Sequence, residues 1–254
     1  MAMILNWLSY PRAVFLALFG LGHTFVMSIV ILGVAASTSK RRVVDWFINY
    51  IWSYPLLFFS GAKVEVRGRE NVAPDGKGFL ILFNHSSLMD IPLLYFYFPR
   101  SFRFGAKIEL FKIPFFGKAM ELCGVLPIDR GNRSKVMKVY ENAISRVNNG
   151  EAFALAPEGT RQKEARLGKF KRGPFEFGIN AQMDLIPVVV AGAYDLLPKK
   201  SFLPGAGQWR HKVILQILPR VPTQGLKAPD DIEPLVATVQ SEMDEVYVRL
   251  NSEI

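Results

Sequence analysis

The stretch FLILFNHSSLMDIP, residues 79–92, joins five consecutive apolar residues to a polar turn and then to a proline. Continuously apolar runs of this length are typical of strands that are covered on both faces. Pro92 is compatible with the first turn of a helix, because a proline there loses no intrahelical hydrogen bond. The stretch therefore predicts an interior strand, a turn and a helix.

Other short runs along the chain also predict strands. They lie at residues 63–68, 103–106, 124–128, 152–156, 186–192 and 212–218. Amphipathic stretches alternate with them, which is the pattern of a sheet covered by helices. The predicted fold class is α/β, with a mostly parallel or mixed central sheet covered by helices.

Two of the amphipathic stretches predict well-marked helices. Residues 134–149 carry apolar side chains at three- and four-residue steps, with Ser134 as the expected N-cap and Gly150 just past the end. Residues 230–250 open with Asp230 three positions before Glu233, the spacing of a capping box. We expect the second helix to close the domain.

The N-terminal region is long and apolar. Residues 13–39 contain no Asp, Glu, Lys or Arg and are followed by the basic residues at 40–42; roughly 20 apolar residues are enough to cross a bilayer. A second apolar, aromatic segment at 46–61 is interrupted by Pro55. A cleaved signal peptide would carry its positive charges before the apolar run, so this order disfavours one.

Two membrane arrangements are compatible with these segments. One is a true span followed by an interfacial helix, and the other is a helical pair that dips into one leaflet and returns. We favour the pair, because it keeps the rest of the chain on the side where it began. His23 is then expected to face the neighbouring helix. We predict a membrane-associated segment at 1–62 and one domain at 63–254.

Composition narrows the classes of partner. Half of the 254 residues are hydrophobic, 20 are Phe, and the formal net charge is +9. This charge is compatible with nucleic acid, an anionic bilayer or phosphorylated substrates, but no nucleic-acid-binding motif occurs, so we expect no nucleic-acid partner. The single cysteine, Cys123, excludes an intramolecular disulfide and is expected to be a buried apolar residue.

His85 and Asp90 follow the strand at 79–83, at an end where ligands gather in open parallel sheets. Five residues rotate a helix by about 140°, so the two side chains cannot meet along one helix face. They can meet if His85 lies in the turn and Asp90 in the first helical turn, with Ser86 or Ser87 as the cap. The carboxylate would then accept the Nδ1 proton and leave Nε2 as a general base. The alternative is a lone histidine that satisfies a local turn.

A second polar motif, PEGTR at residues 157–161, follows the strand at 152–156. Gly159 allows the backbone to approach an anion, and Arg161 can bind a phosphate with two hydrogen bonds. A run of basic residues at 163–172 continues from it and could be no more than a solvated surface. Lys107 and Arg130 follow two further predicted strands.

Together these elements resemble the glycerolipid acyltransferase family, in particular its 1-acylglycerol-3-phosphate (lysophosphatidic acid) branch. The resemblance covers residues 63–192 and rests on four blocks in the family's order. The matching residues are His85 and Asp90; Lys107, Gly117 and Arg130; Glu158, Gly159, Thr160 and Arg161; and Pro187. Ala156 stands where many members have an aromatic residue, and Gln162 where serine is frequent, so the exact acceptor stays open.

The resemblance implies that 63–254 is an acyltransferase catalytic domain. It would transfer an acyl chain from acyl-CoA or acyl carrier protein to the free hydroxyl of lysophosphatidic acid, giving phosphatidic acid. His85 would be the base and Asp90 would orient it. Acceptor-phosphate binding would fall to a set of six residues. They are Lys107, Arg130, Glu158, Gly159, Thr160 and Arg161.

The same resemblance carries expectations about cofactors and location. We expect no cofactor beyond the thioester co-substrate and no metal, because the three histidines lack ligand spacing. A GxSxG motif is absent, which argues against an α/β-hydrolase. The catalytic domain would face the cytoplasm, at the inner membrane if the source is bacterial. The alternatives are another acceptor, such as glycerol 3-phosphate or lyso-ornithine lipid, and a non-catalytic lipid-binding protein.

Overall fold

The computed structural model describes residues 2–72, 76–206 and 209–254, with side chains described from Ser9 onward. The N-terminal region comprises α1 (Ala2–Ser37), α2 (Arg41–Trp46), a π-helical segment (Phe47–Ser53) and α3 (Tyr54–Ser60). The domain that follows contains the remaining elements in this order: β1 (Ala62–Arg67), a 3₁₀ turn (Arg69–Asn71), β2 (Phe79–Phe83), α4 (Asp90–Tyr97), β3 (Arg103–Lys107), a 3₁₀ turn (Ile108–Lys112), α5 (Phe116–Leu122), β4 (Leu126–Ile128), α6 (Arg133–Asn148), β5 (Phe153–Leu155), α7 (Arg172–Asn180), β6 (Asp184–Ala191), α8 (Ala193–Leu196), β7 (His211–Ile217) and α9 (Ile232–Asn251).

The central sheet has seven strands in the order β1-β7-β6-β2-β5-β3-β4. Strands β6, β2, β5, β3 and β4 are parallel, whereas β7 runs antiparallel to β6 and parallel to β1. The predicted α/β class with a mixed sheet is confirmed, and so are all seven predicted strands, each within two residues at either end. The carboxyl ends of five parallel strands therefore share one edge of the sheet.

Strand β2 lies between β6 and β5 and is buried on both faces. Phe79, Ile81 and Phe83 belong to the cluster that packs under α4, α5 and the N-terminal helices. Leu80 and Leu82 belong to the cluster on the opposite face, under α6, α7 and α9. Burial of each such side chain contributes about 1.5–3 kcal/mol, which explains why the whole strand is apolar.

The N-terminal helices form the predicted pair. His23 on α1 lies 3.0 Å from the carbonyl oxygen of Ile51, and the indole of Trp52 donates to Thr24 at 3.0 Å. Pro55 has no N–H, so the Ile51 carbonyl loses its usual helical donor. The imidazole of His23 takes that place, which confirms that this histidine faces the neighbouring helix.

Both ends of the helical pair contact the α/β domain. Arg12 near the start of α1 donates to the carbonyl oxygen of Trp209 at 2.7 Å, beside the start of β7. Beyond the other end of α1, Asp45 accepts from Arg103 at 2.6 Å, at the start of β3. The stretch Ser9–Ser37 is long and apolar enough to cross a bilayer by length and composition, yet α1 lies along the domain. Insertion into one leaflet stays a prediction.

The helix caps differ from the sequence-based expectation. Helix α6 begins at Arg133, and Asn132 is its N-cap, accepting from the Lys135 N–H at 3.1 Å; Ser134 already lies inside the helix. Helix α9 begins at Ile232 after Asp231, so Asp230 is not its cap. The prediction of Gly150 beyond the end of α6 is confirmed by its left-handed φ of 82°.

Candidate active site

The site is centred on the turn between β2 and α4. His85 Nδ1 lies 2.8 Å from Asp90 Oδ2, with His85 in the turn and Asp90 at the first residue of α4. This confirms the predicted geometry. The imidazole side chain is 12% exposed and the carboxylate is fully buried. Nε2 is therefore the nitrogen left for a substrate.

Asp90 also organises the turn itself. Its Oδ2 accepts from the backbone N–H groups of Ser86 at 2.9 Å and Ser87 at 2.8 Å. The Ser87 hydroxyl accepts from the Met89 N–H at 3.2 Å, so it caps the turn that leads into α4, although the N-cap position of the helix itself is Met89. The same hydroxyl donates to the Leu197 carbonyl at 3.1 Å. The carboxylate thus fixes both the imidazole and the backbone that carries it.

Asn84 fixes the turn to the sheet. Its amide donates to the Val190 carbonyl at 2.9 Å and accepts from the Val190 N–H at 2.7 Å. The side chain is buried and continues the β2–β6 pairing by one residue. This role of Asn84 depends on the pairing of β2 with β6 and is not evident from the sequence.

Glu158 joins the PEGTR turn to the histidine turn. Its Oε1 accepts from the His85 N–H at 2.8 Å and its Oε2 from the Gly168 N–H at 3.1 Å. Burial raises the pKa of this carboxyl to about 7, against the lowering effect of those hydrogen bonds. Glu158 is 4% exposed, so it is a positioning residue and not a surface ligand for a phosphate.

The PEGTR turn brings Arg161 toward the catalytic pair. Gly159 has φ of 71°, and a Cβ there would lie 2.9 Å from the Lys171 side chain, so only glycine fits without strain. The Gln162 N–H donates to the His85 carbonyl at 2.8 Å. Burial lowers the pKa of the Arg161 guanidinium, while the charge of Asp90 opposes that shift. Because Arg161 directly precedes Gln162, the backbone hydrogen bond of Gln162 holds Arg161 beside the His85 turn.

Lys107 and Arg130 lie at the neighbouring strand ends. Lys107 closes β3 and pairs in register with Ile128 of β4, two residues before Arg130. Lys107 makes an exposed ion pair with Glu109 at 3.2 Å. Both cations stand at the carboxyl edge of the sheet, and no hydrogen bond within the described ranges joins Lys107 to Arg161.

Gly117, in the same block of the resemblance, is required by packing, since a Cβ would lie 2.1 Å from the Phe111 carbonyl oxygen.

Lys199 also lies at this edge, and none of the sequence motifs includes it. Lys199, in the segment after β6 and α8, donates to Thr160 Oγ1 at 3.1 Å and to the Arg161 carbonyl at 2.6 Å. The rule that ligands gather at the carboxyl ends of strands could have identified it, because the strand at 186–192 also ends at this edge.

Pro187, the last of the residues matched by the resemblance, lies within β6 and pairs with Leu82.

Other reactive groups are separate from this edge. Cys123 is buried, and burial raises the pKa of its thiol to about 11, as expected for an inert apolar residue. Within residues 2–72, 76–206 and 209–254, no cluster of three His, Cys, Asp or Glu side chains is placed to hold a metal ion.

Comparison with known proteins places this geometry in a family. A family model described as acyltransferase matches residues 63–191. A 1-acyl-sn-glycerol-3-phosphate acyltransferase of Chlamydomonas reinhardtii is 32% identical over 65% of this chain and 49% of its own. The human 1-acyl-sn-glycerol-3-phosphate acyltransferase alpha is 27% identical over 97% of this chain and 85% of its own.

A solved structure extends the likeness to the whole chain. The 1-acyl-sn-glycerophosphate (LPA) acyltransferase PlsC of Thermotoga maritima superposes with a TM-score of 0.78 at 26% identity, covering 98% of each chain. The chain spans about half the length of the plant and algal relatives that it matches. With the matched residues 63–191 containing the His85–Asp90 pair and the PEGTR turn, this protein belongs to the acyltransferase family.

Proposed function

We propose that the protein transfers an acyl chain from a thioester, acyl-CoA or acyl carrier protein, to the free hydroxyl of lysophosphatidic acid, giving phosphatidic acid. The observation that carries the proposal is the 2.8 Å contact between His85 Nδ1 and Asp90 Oδ2, beside Arg161. The names of the human relative and of the T. maritima protein, which match nearly the whole chain, support the same acceptor.

In the proposed reaction, His85 Nε2 accepts the proton of the acceptor hydroxyl as its oxygen attacks the thioester carbonyl carbon. The C–O bond forms, the C–S bond breaks, and the imidazolium returns the proton to the leaving thiolate. Asp90 favours this cycle because its buried carboxylate holds the Nδ1 proton and faces the transient positive charge.

Arg161 and Arg130 would bind the acceptor phosphate and so hold the hydroxyl near His85, with Lys107 at the outer edge. Arginine suits this task, because its planar donors match phosphate oxygens in pairs. Glu158 and Gly159 would shape the turn that carries Arg161. This division of labour keeps three of the six expected residues, Lys107, Arg130 and Arg161, as phosphate ligands. Glu158 and Gly159 become positioning residues, and Thr160 accepts a hydrogen bond from Lys199.

The N-terminal pair would hold the site at a bilayer. Its outward surface is apolar, with Leu18 68%, Leu21 74% and Phe58 63% exposed. Because both ends of the pair contact the α/β domain, an in-plane position in one leaflet fits better than a full crossing. The basic run at 163–172 would face the anionic lipid surface. We place the catalytic domain on the cytoplasmic side.

The test is transfer by the purified protein in neutral detergent micelles, with release of free thiol and formation of phosphatidic acid measured together. We expect His85→Ala to lose about 10³-fold or more of kcat, because it removes the base. Asp90→Asn should lose nearly as much, because it changes the proton held at Nδ1. Glycerol 3-phosphate and a lyso-ornithine lipid, supplied as competing acceptors, should be used less well.

Ser86→Ala is the matched control. The Ser86 hydroxyl is buried with no hydrogen-bond partner among the described residues, and the proposed reaction does not use it. Loss of activity in Ser86→Ala would indicate a serine nucleophile and contradict the mechanism. Equal activity of wild type and His85→Ala would remove His85 from it.

A further inference from the structure

Lys199 occupies a position that no matched motif includes. It lies beyond β6, and β6 is hydrogen-bonded to β2, the strand that presents His85. The PEGTR turn follows β5, on the other side of β2. The contacts of Lys199 with Thr160 and Arg161 therefore join the segment after β6 to the PEGTR turn, and that turn contacts the backbone of His85 through Glu158 and Gln162.

The contacts of Lys199 leave it able to bind a ligand. Its ammonium group has three N–H donors, and two of them go to Thr160 Oγ1 and the Arg161 carbonyl oxygen. No contact among residues 2–72, 76–206 and 209–254 uses the third. A structural tie between the two segments would need only a neutral donor, so the charge calls for a separate explanation.

The surroundings of Lys199 are crowded with positive charge. Burial, and then the charges of Lys163, Arg161 and Arg130, lower the pKa of its ammonium group. In the described part of the chain no ion pair joins Lys199, Arg161 or Arg130 to a carboxylate. Neighbouring like charges repel one another. A multiply charged anion bound among them would remove the repulsion.

We propose that Lys199 binds the phosphate of the acceptor lipid together with Arg161 and Arg130, closing the phosphate site from the β6 side. This rests on the proposed function and deepens it, because it makes Lys199 a specificity-determining residue for phosphorylated acceptors. The ammonium group of Lys199 would also hold the backbone of Arg161. One side chain would therefore both position the Arg161 guanidinium and bind the phosphate directly.

The first test is binding without turnover. Water-soluble dihexanoyl phosphatidic acid and dihexanoylglycerol share acyl chains and differ in the phosphate, and their binding can be measured by calorimetry in neutral micelles. We expect Lys199→Met to weaken binding of the phosphatidic acid about 10- to 100-fold and to leave binding of dihexanoylglycerol unchanged. Lys199→Arg should recover most of the loss, and Lys200→Met, at the exposed neighbouring residue, should bind as wild type does.

The second test is turnover. Lys199→Met should raise the KM for lysophosphatidic acid by a similar factor, with little change in the KM for acyl-CoA. Equal weakening of both soluble ligands would make Lys199 a structural tie only and overturn the inference. A rise confined to the KM of acyl-CoA would assign Lys199 to the donor phosphates and also overturn it.

The two proposals fail in different ways. If wild type binds the phosphatidic acid and Lys199→Met does not, while no acyl transfer occurs with any donor, the inference stands and the proposed function falls. If transfer proceeds normally but Lys199→Met binds and reacts as wild type does, the function stands and the inference falls.

Discussion

A glutamate with a largely covered side chain lies at each end of strand β5, and the pKa values of the two carboxyls are shifted in opposite directions. Glu151, before the strand, contacts Arg41, Arg103 and Arg146. Burial alone would raise its pKa, but those arginines lower it. Glu158, after the strand, accepts only backbone and amide donors, and burial raises its pKa to about 7. The arginines at the amino end of the parallel strands form ion pairs with Asp45 and Glu151. At the carboxyl end, Arg130 and Arg161 form no ion pair with a carboxylate of the described residues.

This difference separates a structural cluster from a binding site. At the amino end, arginines alternate with Asp45 and Glu151, and the ion pairs tie the N-terminal helices to β3 and β5. At the carboxyl end, Arg130, Arg161 and Lys199 stand together without a carboxylate partner among the described residues. Cations that the fold does not neutralise are available for an anionic substrate. The sign and pairing of charge, more than the number of arginines, thus distinguish the two ends.

The largest expected effect on stability is at the amino end. Arg103→Met removes the partner of Asp45, whose side chain is 12% exposed beside an Arg103 that is 7% exposed. An uncompensated buried charge costs about 3–5 kcal/mol, which corresponds to a fall of about 10 °C in Tm for a chain of this size. Thermal unfolding followed by circular dichroism in neutral micelles measures it.

Two variants control this prediction. Arg67→Met removes ion pairs to Glu65 and Glu253 that lie at the surface, and it should cost about 1 kcal/mol or less. The double change Arg103→Met with Asp45→Leu should recover much of the loss, because both buried charges are gone. If Arg103→Met and Arg67→Met had equal effects, the amino-end cluster would not be structural.

At the carboxyl end, substitution should affect catalysis and leave stability intact. Arg161→Met is expected to lower kcat/KM for lysophosphatidic acid about 100-fold, since charge-assisted contacts to the phosphate are lost. Its Tm should stay within about 2 °C of wild type, because the substitution leaves no buried carboxylate unpaired. Steady-state kinetics and thermal unfolding on the same preparations check both statements.

Arg133→Met is the control for Arg161. Arg133 is an exposed arginine on α6 that pairs with Glu176 at 2.8 Å, so its removal should change kcat/KM by less than about threefold. A fall in Tm of Arg161→Met comparable to that of Arg103→Met would mean that the two ends of the sheet do not differ in the way argued above.

Much of this arrangement was predictable from sequence, for definable reasons. The strand at 79–83 is apolar throughout because both of its faces are covered, and that pattern is local. The His85–Asp90 contact was also predictable, since both residues belong to one turn whose length limits their geometry. The family resemblance then supplied the order of the remaining blocks.

What could not be predicted depends on distant pairing or on exact backbone entry angles. Asp45 and Arg103 lie 58 residues apart, and nothing in either neighbourhood marks them as partners. Lys199 meets Arg161 only because β6 and β5 flank β2. The predicted N-cap of α6 was wrong because Asn132 and Ser134 are both residue types that favour the N-cap position. Only the extended backbone at Asn132 decides between them.

The smallest expected effect is the pH dependence of folding stability, which compares Glu158 directly with Glu151. The folded-state pKa of Glu158, about 7, lies above its ordinary value of 4.5. The protonated carboxyl therefore favours the folded chain, so this contribution to stability is complete below about pH 4.5 and is lost as pH rises through about 7. From pH 5 to pH 8 the loss amounts to about 2–3 kcal/mol. Unfolding of wild type and Glu158→Gln at several pH values between 5 and 8 measures it.

Glu158→Gln removes the titrating group but also replaces one acceptor oxygen with a donor, which leaves the Gly168 or His85 N–H without its partner. We therefore expect the variant to be less stable than wild type at pH 5 and to approach it by pH 8. Glu151→Gln should lose stability by an amount that is constant across this range, because the lowered pKa of Glu151 keeps that carboxylate ionised throughout. A constant difference for Glu158→Gln as well would mean that Glu158 is already ionised at pH 5, and that its backbone donors outweigh burial.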